Sequence, residues 1–234
     1  MIYVFPHCAK YENRISMIDG ISRLFAYPKV PHFKNHGERV ILDSGAFGIY
    51  SHNGVMTENY KKKLSSHYEK FDREEVMCVA PDILGNPTMT MRNYDNWIKS
   101  GKHSRICPVI QPSGTKMLNV NEMKYQIDYY VKRYNTKRIF VSNFFSGDVA
   151  IAQGMAEICD YAKSVGIEWI HIFGAGWSLR DISIWSTIRT IDSMDSIAYY
   201  STREASAFGG KDPIENIERI TKCVQELNTY QKMQ

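Results

Sequence analysis

Short apolar runs rich in β-branched and aromatic residues recur along the chain: Ile2–Phe5, Val40–Leu42, Val76–Ala80, Ile106–Ile110, Arg138–Val141, Trp169–Phe173 and Ser196–Tyr200. Each is too short for a helix and has the composition of a strand. Between them, apolar residues recur every three or four positions. Tyr60, Leu64, Tyr68 and Phe71 share a face behind a capping Thr57. Val120, Met123, Ile127, Tyr130 and Tyr134 form a second stripe, and Ile151, Met155, Ile158, Ala162 and Val165 a third. Ser178–Asp181 has the form of a capping box. Asp212-Pro213 opens a last helix striped with Ile214, Ile217, Ile220, Val224 and Leu227. Repeated strand–helix units of roughly 30 residues predict a parallel sheet. Seven or eight units in one domain favour a TIM-like (β/α)8 barrel over an open doubly wound sheet. With seven runs visible, one barrel strand is expected to be short, irregular or missing.

Composition narrows the class. At 234 residues an α/β barrel folds as one domain, here 1–234. Hydrophobic content of 44% with 23% charged residues excludes a disordered or fibrous chain. No apolar stretch approaches the ~20 residues of a membrane span. The start, Met1 to Pro6, lacks the basic region and cleavage site of a signal peptide. Cys8, Cys78, Cys107, Cys159 and Cys223 form no CxxC pair, so a reduced, cytoplasmic protein without a zinc module or other metal cofactor is expected. His32 and His36 are four apart but lie between Pro31 and Gly37, which reads as a loop rather than one helix face. The net charge of +4 permits a nucleic-acid partner without demanding one. The single charge run, Lys61–Lys63, reads first as a solvated helix face.

In a barrel the chemistry sits where strands end. Val40–Leu42 is followed by Asp43-Ser44-Gly45-Ala46-Phe47, Val76–Ala80 by Pro81-Asp82, and Pro108-Val109-Ile110 by Gln111. Ser142-Asn143 follows the next run and Gly174-Ala175-Gly176 the one after. The last run is entered through Asp195-Ser196. Singly, each aspartate reads as a turn or cap residue. Together, three carboxylates and two amides converge on one rim. Two carboxylates across a pocket are the minimum for nucleophilic glycosyl transfer.

The ordered set DSGAF, APD, PVIQ, VSN…GD, IFGAG and MDS…STR, from about Val40 to Arg203, resembles the tRNA-guanine transglycosylase superfamily. The short chain and the DSGAF variant look most like its phage and bacterial-island branch, the DNA 7-deazaguanine transglycosylases. The resemblance implies a glycosyltransferase that exchanges guanine in DNA for a free 7-deazaguanine base (preQ0 or a derivative) without breaking the backbone. On that resemblance Asp195 is the nucleophile, Asp43 the acid/base, and Asp82 the carboxylate that reads the guanine edge. Gln111 and the Ser142-Asn143 backbone bind the base's carbonyl oxygen, Phe47 and Phe173 sandwich the base, and Ser44 and Gly174 border the same pocket. Arg203 matches an arginine near the nucleic-acid backbone, and Lys211 and Lys61–Lys63 are further cations for that role. The chain departs from the tRNA enzymes in lacking their cysteine-rich zinc insert and their extra length, which favours DNA over tRNA. Ser142-Asn143 also stands where they have Gly-Gly. Three alternatives stay open: a minimal tRNA-guanine transglycosylase, a non-catalytic nucleic-acid-binding subunit of an unequal pair, and a barrel hydrolase that cleaves N-glycosidic bonds with water. A partner protein or a homodimer is compatible with each.

Overall fold

A computed structural model describes residues 2–15, 17–31, 36–50, 52, 54–71, 73–99, 105–114, 118–142, 149–174, 188–195 and 212–233. Its strands are β1 (Ile2–Pro6), β2 (Ile21–Ala26), β3 (His36–Asp43), β4 (Val76–Val79), β5 (Ile106–Cys107), β6 (Val109–Ile110), β7 (Arg138–Val141), β8 (Trp169–Ile172) and β9 (Ser193–Asp195). All pairings are parallel, in the order β5-β4-β3-β2-β1-β9-β8-β7-β6. The two ends of that order, β5 and β6, are separated in the chain by Pro108 alone. The residues before it pair with β4 and those after it with β7. The sheet is therefore a nearly closed TIM-like α/β barrel whose one seam lies at Pro108. Proline has no N–H for the ladder, but its carbonyl accepts from Phe140 N at 2.9 Å. Nine strands with β5 and β6 sharing one position fill eight positions around the ring.

Side chains alternate between two faces. Val4, Leu24, Ile41, Met77, Val79, Cys107, Val109 and Phe140 fill the barrel interior. Tyr3, Phe5, Phe25, Val40, Leu42, Val76 and Cys78 face outward and pack in the larger cluster with the helices. Those helices are α1 (Glu12–Ile15), α2 (Ala46–Tyr50), α3 (Glu58–Lys70), α4 (Pro87–Lys99), α5 (Val120–Tyr134), α6 (Val149–Ser164) and α7 (Pro213–Lys232). The expected stripes of α3 and α5 are found: Leu64 and Tyr68 are buried on α3, and Met123, Ile127 and Tyr130 on α5. Thr57 Oγ1 accepts from Tyr60 N at 3.2 Å and so caps α3. Asp212 Oδ1 accepts from Ile214 N at 2.9 Å at the start of α7. The expected helix start at Ser178 lies outside the described residues. Among those that are described, no helix is long and apolar enough to cross a membrane.

Of the elements that differ from the sequence expectation, three have a clear physical reason. β2 is a ring position that no apolar run revealed, because Ser22 and Arg23 interrupt its pattern. Arg23 is 1% exposed, with Nε donating to Phe5 O at 3.1 Å and Nη2 to Glu12 Oε2 at 2.8 Å. A paired guanidinium can be buried, yet in sequence it reads as a surface residue. Helix α4 escaped because its buried face mixes Thr90 and Asn93 with Tyr94 and Trp97. The last strand is Ser193–Asp195, while Ser196–Tyr200 lies outside the described residues. Asp195 thus ends β9 rather than entering the last strand. The inward Ser193 and Asp195 gave this short strand the look of a turn.

Candidate active site

Asp43 ends β3, two residues beyond the inward Ile41, so alternation aims it into the same space. Asp195 is in register with the inward Val4 across the β1–β9 pair. Asp82 follows β4 on the loop toward α4. All three carboxylates thus lie at the C-terminal mouth, where a barrel carries its chemistry. Their electrostatics show that they are neighbours. Burial pushes the Asp43 carboxyl up to about 6, and the charge of Asp195 adds to this against the backbone N–H groups of Gly45 and Ser44. Burial and then the charge of Asp43 push Asp82 up to about 7, against its own backbone N–H and the Ser44 hydroxyl. Tyrosines line the same mouth. Tyr50 is raised by burial and then by Asp82, and Tyr60 is pushed up to about 12 by burial and then by Asp43.

The DSG turn holds Asp43 in place. Tyr27 N donates to Asp43 O at 3.0 Å, and Tyr60 Oη to Ser44 O at 2.9 Å. Ser44 is fully buried. Its Oγ accepts from Ala46 N at 3.3 Å and lies 3.5 Å from Asp82 Oδ1, linking the two loops. Gly45 has φ +75°, and a Cβ there would stand 2.7 Å from Tyr60 Oη and 3.1 Å from Tyr27 O. Gly45→Ala is therefore expected to cost about 1–3 kcal/mol, through left-handed strain and displacement of Tyr60. A urea unfolding midpoint unchanged from wild type would count against this packing.

Asp195 is 7% exposed. Its Oδ1 accepts from His171 Nε2 at 3.1 Å and from Gly174 N at 3.1 Å. His171 is fully buried in the barrel, and its Nδ1 lies 2.8 Å from Ser193 Oγ. Sequence reasoning passed over this histidine. The alternation Trp169, His171, Phe173 along β8 and the residue after it was the available signal, since it places a polar ring among inward residues. Phe173 stacks on Phe140 with ring centroids 5.1 Å apart and planes at 13°. Phe47, the other half of the expected sandwich, is 71% exposed on α2, and so offers an open face rather than one wall of a closed slot.

Gln111 follows β6, at the strand end where the sequence places it. It is fully buried, and its side-chain amide is already engaged. Nε2 donates to Ile83 O at 2.8 Å and Thr90 Oγ1 at 2.6 Å, while Oε1 accepts from Gly85 N at 3.1 Å. Gln126 grips its backbone from the other side, through Gln111 N at 3.1 Å and Gln111 O at 2.7 Å. Gln111 thus ties the end of β6 to the loop carrying Asp82. The physical reason is that buried loop backbone groups need partners. Ser142 is half-buried at the end of β7, its N–H donating to Ile110 O at 2.9 Å. Asn143, Gly176, Arg203 and Lys211 lie outside the described residues. Among the described residues, no three His, Cys, Asp or Glu side chains are grouped so as to hold a metal ion.

Chemically, the mouth offers one carboxylate fixed by two N–H donors and two more with raised affinity for protons. Carboxyl groups set apart by environment in this way suit distinct nucleophile and acid/base roles. No family model and no curated protein matches this chain.

Proposed function

We propose that the protein exchanges guanine in DNA for a free 7-deazaguanine base by double displacement. The observation that carries this reading is the pairing of an oriented Asp195 with an Asp43 of raised proton affinity in one barrel mouth, beside the buried Asp82. The DNA substrate and the identity of the base rest on the motif resemblance.

In the first displacement an Asp195 oxygen bonds to C1′ of the nucleotide. The C1′–N9 bond breaks, its electron pair stays with guanine, and Asp43 gives its proton to a ring nitrogen of the leaving base. In the second, the entering base gives its N9 proton to Asp43. N9 bonds to C1′, and the ester's electron pair returns to Asp195. Asp43 near 6 suits both directions at neutral pH. Asp82 as a carboxylate can accept from N1–H and the exocyclic amine that both bases share. The target base reaches this mouth out of the duplex stack or from a single strand. The first turn of α3 sits at the mouth, since Tyr60 bonds Ser44. It is followed by the exposed Lys62 and Lys63, which are placed to attract phosphates.

The test is to incubate the protein with guanine-containing DNA, with tRNA, and with labelled 7-deazaguanine bases. Denaturing gels detect a covalent adduct, and scintillation counting detects incorporation. Adduct and label in DNA are expected. Label in tRNA alone overturns the polymer. Release of guanine without incorporation makes the protein a hydrolase, and neither adduct nor label with either polymer sinks the exchange chemistry.

A further inference from the structure

Resting on that reading of the mouth, we infer that His171 is a positioning residue: it fixes the Asp195 carboxylate by its Oδ1 so that Oδ2 is the oxygen that attacks C1′. His171 sits on β8 in register with Ser193 on β9, inside the barrel and without solvent exposure. Its ring is bounded edge-on by Phe140, with centroids 5.3 Å apart, and by Phe173, 5.0 Å away. Both ring nitrogens are occupied, Nδ1 at 2.8 Å from Ser193 Oγ and Nε2 at 3.1 Å from Asp195 Oδ1. A carboxylate only accepts hydrogen bonds, so Nε2 carries the hydrogen. In the neutral ring Nδ1 then accepts the hydroxyl hydrogen of Ser193. Ser193 thereby selects the tautomer that His171 needs to donate to Asp195, one link further from the reaction.

The two carboxylate oxygens are treated unequally. Oδ1 takes the His171 and Gly174 N–H groups. Among the described residues Oδ2 takes none. This difference matters in both displacements. In the first, the free Oδ2 forms the bond to C1′ while Oδ1 anchors the group. In the second, the Oδ2–C1′ bond breaks and the returning electron pair spreads onto Oδ1, where two donors already point. The arrangement needs no movement of the donors between steps, which is the geometric condition for preorganised electrostatic help.

Two measurements test this. Nitrogen-15 NMR of the histidine ring in the intact protein reads the dyad independently of any reaction. A protonated Nε2 and an unprotonated Nδ1 are expected, with the Nε2 signal moving most in Asp195→Asn. A ring protonated at Nδ1 alone overturns the assignment. In steady-state exchange, His171→Ala is expected to lower kcat by about 10²-fold, the order that follows from misplacing a reacting group, with KM for the free base little changed. His171→Gln, which restores an N–H donor, is expected to recover at least tenfold of that loss. Equal kcat for Ala and Gln, or an unchanged kcat in the Ala variant, overturns the positioning role. If His171→Ala does not fold, Ser193→Ala takes its place. It is expected to lower kcat and shift the Nδ1 signal, and no change in either overturns the relay. Should the wild-type protein exchange no base, the proposed function fails, while the ring-nitrogen spectrum still decides whether His171 holds Asp195.

Discussion

Asp82→Asn is expected to raise the melting temperature at pH 8 while abolishing guanine exchange. The Asp82 carboxyl lies at about 7 in the folded protein, against 3.8 for the ordinary group, chiefly through burial and secondarily through Asp43. Between these values the folded state holds a proton that the unfolded state has released. Stability from this group is thus complete below about 4 and lost as the pH rises to about 7. Above that, the accumulated cost is on the order of 4 kcal/mol, at 1.36 kcal/mol for each pH unit. An asparagine is neutral throughout and keeps an acceptor for the Ser44 hydroxyl, so it escapes the cost. At about 2–4 °C per kcal/mol for a chain of this size, the variant should melt roughly 10 °C higher at pH 8. Near pH 4 the two proteins should melt almost together. Asp43→Asn should behave likewise with a smaller gain, since Asp43 rises only to about 6. The double variant should gain less than the sum, because part of the rise at Asp82 comes from the charge of Asp43 and is lost with it. Circular dichroism melts at both pH values check this, and an equal difference at pH 4 and pH 8 would sink it. The functional loss has a separate cause. Guanine's N1–H and amine need two acceptors, and an amide offers one acceptor and one donor.

The barrel was legible in the sequence because parallel strands buried on both faces make short apolar runs, and those runs mark six of the eight ring positions, β9 lying just ahead of the run expected there. The position of β2 was hidden by Arg23, whose charge is masked by Glu12 and the Phe5 carbonyl, partners that only the fold brings near. Asp43 and Asp82 were legible because each falls where an apolar run ends, whereas Asp195 was read ahead of a run and was singled out by the motif resemblance. Placing them in one electrostatic unit required the fold, since Asp43 and Asp195 are separated by most of the chain. For Gln111 the limit lies in its partners. Its position at a strand end was read correctly, but no pattern in sequence reveals that Thr90, Ile83 and Gly85 already occupy its amide. His171 was missed for a related reason. An isolated histidine within an apolar run reads as a core residue, and its partners Ser193 and Asp195 become visible only when β8 and β9 align.

Asp195→Asn should leave the fold intact and abolish the covalent adduct with DNA. The amide oxygen can still accept from His171 Nε2 and Gly174 N, so both buried donors keep a partner. Asp195→Ala should be equally inactive but melt lower, because two donors lose their acceptor at about 1–3 kcal/mol each. Removing a nucleophile lowers turnover by on the order of 10⁴-fold or more, enough to take the adduct below detection. Asp43→Asn should fail differently. Without a proton donor, guanine leaves slowly. A DNA carrying 7-methylguanine, whose base departs without needing a proton, should restore adduct formation in Asp43→Asn and not in Asp195→Asn. The second displacement would still lack its base, so the adduct should accumulate. An adduct with Asp195→Asn would remove that residue from the nucleophile's role. Equal failure of Asp43→Asn on guanine and 7-methylguanine would remove Asp43 from the acid's role. The contrast separates two carboxylates that lie in one mouth and are distinguished by what surrounds them, the N–H donors at Asp195 and the buried, charge-crowded site at Asp43.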